Sequence, residues 1–228
     1  MNKLPSFLIL LFILISVGRG NAQVQWQVLG PTTWKRGTGT PVTEVLTLSA
    51  LGRTATLKLI NGNNEDSSVE KVSSSIVTLN GTVIFSPSDF NQRVNAVEKN
   101  ITLREGQNNL EVLLSGKPRG QITIKITQEV EVITPQIALL QTANALRVGN
   151  MPLALEGFRP DDKRRDLLLA LDYGQRNELA KVLTNAQLVR EAGNMRFYKY
   201  CWTDETGERF VKINMAKDPD GKWIITSW

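Results

Sequence analysis

Aromatic side chains near the C-terminus are the residues of this sequence best suited to form a binding site. Tyr198, Tyr200 and Trp202 alternate along one strand-like segment, so they are expected on one face of a strand. Phe197 belongs to the opposite face, and Trp223 lies in the closing segment. An aromatic face can line a cavity for an apolar ligand, or it can fill a packed core. These five residues are therefore candidate ligand-binding residues if the fold encloses a cavity, and core residues if it does not.

Catalytic and metal-binding chemistry has little support in the sequence. The chain has no histidine, which removes serine–histidine and cysteine–histidine nucleophile pairs and the usual zinc and copper sites. An enzyme would need a carboxylate pair or an activated tyrosine or lysine. Carboxylates of the C-terminal region lie mostly in predicted turns, namely Asp204, Glu205, Asp218 and Asp220. We therefore predict a protein that is not an enzyme, with no catalytic residue, metal or cofactor. A histidine-free hydrolase or isomerase is the less favoured alternative.

Cys201 and the segment 86–92 could also form sites, but each has a structural interpretation. Cys201 is the sole cysteine, so no internal disulfide forms, and it is interpreted as a small residue within a strand rather than a reactive thiol. The segment 86–92 contains Asp89 as its single carboxylate, whereas calcium requires six to eight oxygen ligands. We interpret this segment as a turn in which Phe90 closes the edge of a β-sandwich.

The first 22 residues have the features of a secretory signal peptide. Lys3 precedes an apolar run from Phe7 to Val17, and small residues lead up to Ala22. We predict cleavage after Ala22 and an exported protein, periplasmic or extracellular. An uncleaved membrane anchor is the alternative. No later stretch is apolar and long enough to cross a bilayer, so no stable membrane span is expected after the leader is removed.

The charge distribution argues against nucleic acid as a partner. Loss of Lys3 and Arg19 with the leader lowers the formal net charge from +5 to +3. The remaining charges are spread evenly over both halves of the chain, and neither half carries a basic stripe.

The first half of the chain predicts a β-sandwich. Short alternating segments rich in Val, Ile and Thr are separated by polar turns, and Asn80-Gly81 is typical of a tight hairpin turn. The runs Ser75–Gly81, Ser86–Asn91 and Asn108–Val112 resemble a small immunoglobulin-like β-sandwich module of exported bacterial proteins. That resemblance implies a non-catalytic unit beside another domain.

The second half predicts helices followed by an antiparallel meander. Apolar residues recur at helical spacing from Ile137 to Val148, and Thr134 and Pro135 suit a helix start. A short helix over 151–158 and a third helical layer over 162–183, interrupted at Tyr173-Gly174, follow. Four strand-like segments then run to Trp228.

This order resembles the exported bacterial members of the NTF2-like family, an α+β cone in which helices pack on a curved antiparallel sheet. The residues that carry the resemblance lie in the helix end Ala145–Ala154, in Phe158–Pro160 and in the turn Asp218–Ile224. The family implies a possible cavity. Some relatives place an aspartate–histidine pair there, and this chain has no histidine to match.

The sequence thus predicts a signal peptide (1–22), a β-sandwich domain (23–133) and an NTF2-like α+β domain (134–228). The function expected is that of an exported, non-enzymatic binding module. The sandwich would present a cone that binds a small apolar ligand or a protein partner of the envelope. The alternative is a structural or adhesive envelope protein, and a homodimer through the cone sheet is a further expectation.

Overall fold

The computed structural model describes residues 23–62, 70–91, 93–116, 118–160 and 162–228. The predicted signal peptide lies outside the described residues. The described chain is mostly β, with three sheets and a small group of helices. None of its helices is both long and apolar enough to cross a membrane.

Two sheets in the first half confirm the predicted β-sandwich. The strands are β1 (Val24–Lys35), β2 (Thr43–Ala50), β3 (Thr54–Asn61), β4 (Glu70–Lys71), β5 (Ser74–Leu79), β6 (Thr82–Phe85), β7 (Ala96–Thr102), β8 (Gly106–Ser115) and β9 (Gly120–Val130). One sheet has the order β1-β9-β3-β7 with β4 beside β9, and the other has the order β2-β8-β5-β6. The long strand β1 occupies most of the segment before Thr43.

Alternating side chains supply the sandwich core. Ile122, Ile124 and Ile126 of β9 are fully buried, as their period of two requires. The turn between β5 and β6 is the predicted Asn80-Gly81, and both residues have positive φ, 51° and 81°. That conformation suits a type I′ hairpin, whose twist matches the flanking strands.

The segment after β6 is a structural turn, as predicted. A single 3-10 turn covers Pro87–Asp89, and the Ser86 N–H donates to Asp89 Oδ2 at 2.8 Å. This hydrogen bond, together with the Lys99 ammonium 3.0 Å away, lowers the pKa of Asp89. Phe90 is buried beside Phe85 at the edge of the sandwich. The Asp89 carboxylate thus stabilises the turn.

The described residues of the second half form four helices and a third sheet. The elements are α1 (Pro135–Arg147), α2 (Met151–Leu155), α3 (Asp162–Ala170), α4 (Tyr173–Asn185), β10 (Gln187–Ala192), β11 (Met195–Asp204), β12 (Gly207–Lys217) and β13 (Trp223–Ser227). The sheet is an antiparallel meander in chain order. This confirms the predicted succession of helices and strands, while membership of the NTF2-like family stays a prediction.

Side chains cap the starts of α1 and α4 through hydrogen bonds, and α4 starts earlier than predicted. Thr134 caps α1 by accepting from the Ile137 N–H at 3.2 Å. The break between α3 and α4 was predicted at Tyr173-Gly174, but it falls at Asp172. Asp172 and Gln175 form a reciprocal capping box, with hydrogen bonds of 2.8 and 3.0 Å. Gly174 is therefore tolerated in the first turn of α4. The second helix is also shorter than predicted and ends at Leu155.

Helix α1 belongs to both cores. Ile137 and Leu140 pack with the sandwich core, whereas Leu139 and Ala143 pack with the core beneath the third sheet. On the next turn, the buried Asn144 is hydrogen-bonded to the backbone of β1 and β2. The two halves are therefore joined through one shared helix. The proposed boundary between residues 133 and 134 precedes it and stays a prediction.

Candidate functional site

The inner face of the third sheet is packed against helices. Tyr198 lies directly opposite Ile213, and both are buried. Trp223 is also buried, in the same core as Leu139 and Leu183. Burial raises the pKa of the Tyr198 phenol, which keeps it neutral. Two of the five candidate aromatic residues therefore serve mainly as core.

The remaining candidates are more exposed and lie on both faces. The rings of Tyr200 and Trp202 stack with centroids 5.9 Å apart, and Trp202 is 42% exposed. Phe197 lies on the face opposite Tyr198, as alternation predicted, and that face points away from the helices. The Arg190 guanidinium lies 5.7 Å from its ring centroid. Since Phe197 and Tyr198 lie on opposite faces of one strand, the five side chains do not line a single cavity.

A cleft lies where the sandwich meets α1, α2 and the turn before β13, and we call it the junction cleft. Its volume is about 390 Å³. It is lined by both apolar and polar residues: Val24, Gln25, Val132, Ile133, Ala138, Gln141, Thr142, Leu153, Glu156, Gly157, Asp220, Gly221, Lys222 and Trp223. Of the five candidate aromatics, Trp223 is the one that this cleft includes.

Exposed apolar side chains mark one side of the junction cleft. Val132 is 63% exposed and Val24 is 41% exposed, although both are aliphatic. Val132 follows β9 in the connection to α1, and Val24 begins β1, which pairs with β9. Aliphatic side chains left open to water in a concave site favour an apolar occupant.

The opposite side of the cleft is made rigid by close packing. The chain after α2 approaches α1 so closely that a Cβ on Gly157 would lie 2.0 Å from Thr142 Oγ1. The Gly157 carbonyl accepts from the Ile225 N–H at 2.8 Å, and the Arg159 N–H donates to the Ile225 carbonyl at 2.8 Å. These bonds hold the segment against β13.

Several of the polar and charged groups in and around the cleft have partners within the protein. Lys222 Nζ lies 3.0 Å from Glu156 Oε2 at the rim. Two cations lie over the Trp223 ring, Arg196 at 5.1 Å and Lys217 at 5.5 Å from its centroid. Thr142 Oγ1 donates to the Ala138 carbonyl at 2.9 Å within α1. The cleft thus offers apolar contact and a salt-bridged rim.

A second, more polar cleft of about 600 Å³ lies where α4 leads into the third sheet. Its lining residues are Gln107, Lys181, Asn185, Gln187, Val189, Lys199, Tyr200 and Cys201. Cys201 lies within β11, as predicted, and is a free and exposed cysteine. Tyr200 is the candidate aromatic found in this cleft.

Within the described ranges, no group of three or more Cys, Asp or Glu side chains is placed to hold a metal ion.

Sequence reasoning missed most of the junction cleft. Val24, Val132 and Leu153 belong to three separate segments, and none stands out as a binding residue by type. The available signal was the alternation Val130, Val132, which carries an apolar residue beyond the end of β9. Because Val130 is buried, continued alternation would predict a buried Val132, so this signal shows neither its exposure nor the elements that face it.

Comparisons with known proteins identify no family. No protein-family model matches the chain, and no curated protein sequence is significantly similar to it. Among solved structures, a family 35 carbohydrate-binding module from an environmental isolate is 18% identical, covering 47% of this chain and 92% of that module, with a TM-score of 0.28. A family 35 module from Clostridium thermocellum is 12% identical over 46% of this chain and 97% of that module, with a TM-score of 0.28. At these TM-scores the similarities are weak, and neither family nor ligand follows from them.

Proposed function

We propose that this chain is an exported, non-enzymatic binding protein whose junction cleft holds a small apolar ligand. The observation that supports this most directly is the cleft itself, about 390 Å³ with exposed Val24 and Val132 at its wall. Ligand sites of a few hundred Å³ with apolar walls and few polar groups are typical of small-molecule binding. The ligand class is the one expected from the sequence, but the site involves Trp223 rather than the whole aromatic set.

A binding role without catalysis is supported by the state of the polar groups at the cleft. Thr142 uses its hydroxyl within α1, and Glu156 is paired with Lys222. Nucleophilic catalysis requires a nucleophile within hydrogen-bond reach of a base, with a third group to orient the base. The polar groups described here are instead used to stabilise the helix and the rim.

In this proposal the β-sandwich carries an NTF2-like α+β domain, and the leader directs export to the periplasm or the exterior. Helix α1 fixes the two parts relative to each other, because its side chains enter both cores. The cleft wall combines Val24 and Val132 of the first part with Leu153 and Trp223 of the second. Binding would therefore depend on both parts together.

The test is the titration of the purified chain with N-phenyl-1-naphthylamine, a neutral apolar probe that fluoresces when it leaves water. We expect saturable binding by the natural sequence. The substitution Val132→Glu should weaken it at least about tenfold, because the carboxylate must lose water when the apolar probe occupies the cleft. Val132 is mostly exposed, so this change should leave the fold intact.

The matched control is Val42→Glu, the same change at a valine that is 72% exposed and is not part of the cleft lining. Its binding should equal that of the natural sequence. Absence of saturable binding, or equal binding by the two glutamate variants, would contradict the proposal.

A further inference from the structure

The face of the third sheet that points away from the helices combines cations with apolar rings. Strand register places Arg190 of β10 opposite Phe197 of β11, and Lys199 of β11 opposite Lys212 of β12. Phe210 lies on the same face two residues before Lys212. We call these five residues the basic outer face.

Two of its cations are in an unfavourable position. Lys199 and Lys212 lie directly opposite each other on neighbouring strands. Like charges at such positions destabilise a sheet, because the side chains start about 5 Å apart at Cβ. Partial compensation comes from Phe210, whose ring centroid is 4.5 Å from Lys199 Nζ and 5.6 Å from Lys212 Nζ.

Carboxylates give no further compensation. Within the part of the chain that the structure describes, none of the three cations of this face forms an ion pair. Glu191 pairs with Arg196 at 3.2 Å, and Asp204 pairs with Arg209 at 3.4 Å. The register places Glu208 on the basic outer face, but opposite Thr203 and two pairs beyond Phe210. Phe210 thus offsets the repulsion of the lysine pair only in part, and a remaining cost of this kind is the pattern expected where a surface serves binding.

The exposed apolar side chains of the basic outer face limit which kind of partner can bind there. Phe210 is 53% exposed and Met195 is 39% exposed. The ring faces of Phe197 and Phe210 already have cations over them, so they are poorly placed to stack on a nucleic acid base. Cations beside exposed apolar side chains complement a chain that carries both carboxylates and apolar side chains, which is an acidic peptide segment.

We propose that the basic outer face binds an acidic, partly apolar segment of a partner protein. Carboxylates of that segment lie between Lys199 and Lys212 and relieve their repulsion, while its apolar side chains cover Phe210 and Met195. This site is on the face opposite the packed core and does not depend on the junction cleft being a ligand site.

The test uses charge reversal, Lys212→Glu, and a fluorescein-labelled peptide in which Glu and Leu alternate. Fluorescence anisotropy of the full chain should show binding that weakens as salt is raised. The variant should lose at least about tenfold in affinity, since one cation becomes an anion. Its Tm should equal or exceed that of the natural sequence, because an opposite-charge pair with Lys199 replaces the like-charge pair. Loss of binding without loss of stability separates recognition from misfolding.

Controls decide between this partner and other occupants. Lys35→Glu makes the same change of net charge on an exposed lysine of β1 and should bind the peptide as the natural sequence does. A peptide with Gln in place of Glu should bind far more weakly. The proposal is overturned if Lys212→Glu and Lys35→Glu bind equally, or if an oligonucleotide or polygalacturonate binds this face at least as tightly as the peptide. Self-association of the chain that Lys212→Glu abolishes would also overturn it, in favour of a second copy.

Discussion

At the scale of single residues, Asn144 joins the two halves of the molecule. Its Oδ1 accepts from the Ser49 N–H at 2.9 Å, and its Nδ2 donates to the carbonyls of Val28 and Ser49, both at 2.8 Å. Arg147 donates to the same Oδ1 at 3.1 Å and to Ser49 Oγ at 3.0 Å. Burial lowers the pKa of Arg147, yet a guanidinium stays charged at neutral pH. One amide thus satisfies backbone groups of two strands.

Replacement of Asn144 by alanine should lower the free energy of unfolding by about 3 kcal/mol or more. The change leaves three buried backbone groups without partners, and each costs roughly 1–3 kcal/mol. Urea denaturation followed by circular dichroism measures it. Asn185→Ala is the control, because that exposed amide donates only to the nearby Lys181 carbonyl. A loss below about 1 kcal/mol for Asn144→Ala would contradict this role.

The role of Asn144 could not be predicted from the sequence. Its partners lie 95 and 116 residues earlier in the chain. An asparagine near the end of a helix is ordinarily exposed or a cap. Only the packing of α1 across β1 and β2 makes it a buried anchor.

At the scale of elements, local patterns predicted most strands and helices. Alternation identified β9, and Asn80-Gly81 identified a hairpin, because each depends on neighbours in sequence. The predicted break at Tyr173-Gly174 is wrong, because the capping box of Asp172 with Gln175 starts α4 before that glycine. Contacts between elements are harder to predict from the sequence than the elements themselves. Nothing local shows that the chain at Gly157 must pass against α1.

Gly157→Ala should destabilise the protein by roughly 2–3 kcal/mol, because the new methyl group would overlap Thr142 at a closely packed crossing. Thermal or urea unfolding measures the loss. Adding Thr142→Ala to this variant should recover part of it, since the nearest atom, Oγ1, is removed and Thr142 Cβ remains 3.0 Å away. Gly37→Ala is the control, as a Cβ there meets nothing within 4 Å. Equal stability of the two alanine variants would show that the crossing is looser than described.

At the scale of the whole molecule, the sequence predicted the order of the parts but not where binding surfaces form. The sequence predicts the five aromatic residues as one possible cavity lining, because they lie on strands of the same sheet. The structure instead distributes four of them between a core, two clefts and the basic outer face, and leaves Trp202 exposed and stacked on Tyr200. The junction cleft combines Val24, Val132 and Trp223, which are brought together only when both parts pack on α1. A surface formed by tertiary packing cannot be recognised from the residue pattern of any single segment.

The shared helix leads to a prediction about the unfolding of the whole chain. Ile137 and Leu140 are buried in one core, and Leu139 and Ala143 in the other, so α1 cannot leave one core without exposing apolar surface of the other. Hydrogen exchange at increasing urea concentration should therefore show β9 and β12 losing protection together. Asn144→Ala, which removes the polar anchor between the parts, should separate the two transitions. If β9 and β12 open at different urea concentrations in the natural sequence, the halves are independent domains, and the junction cleft is held together less firmly than its contacts indicate.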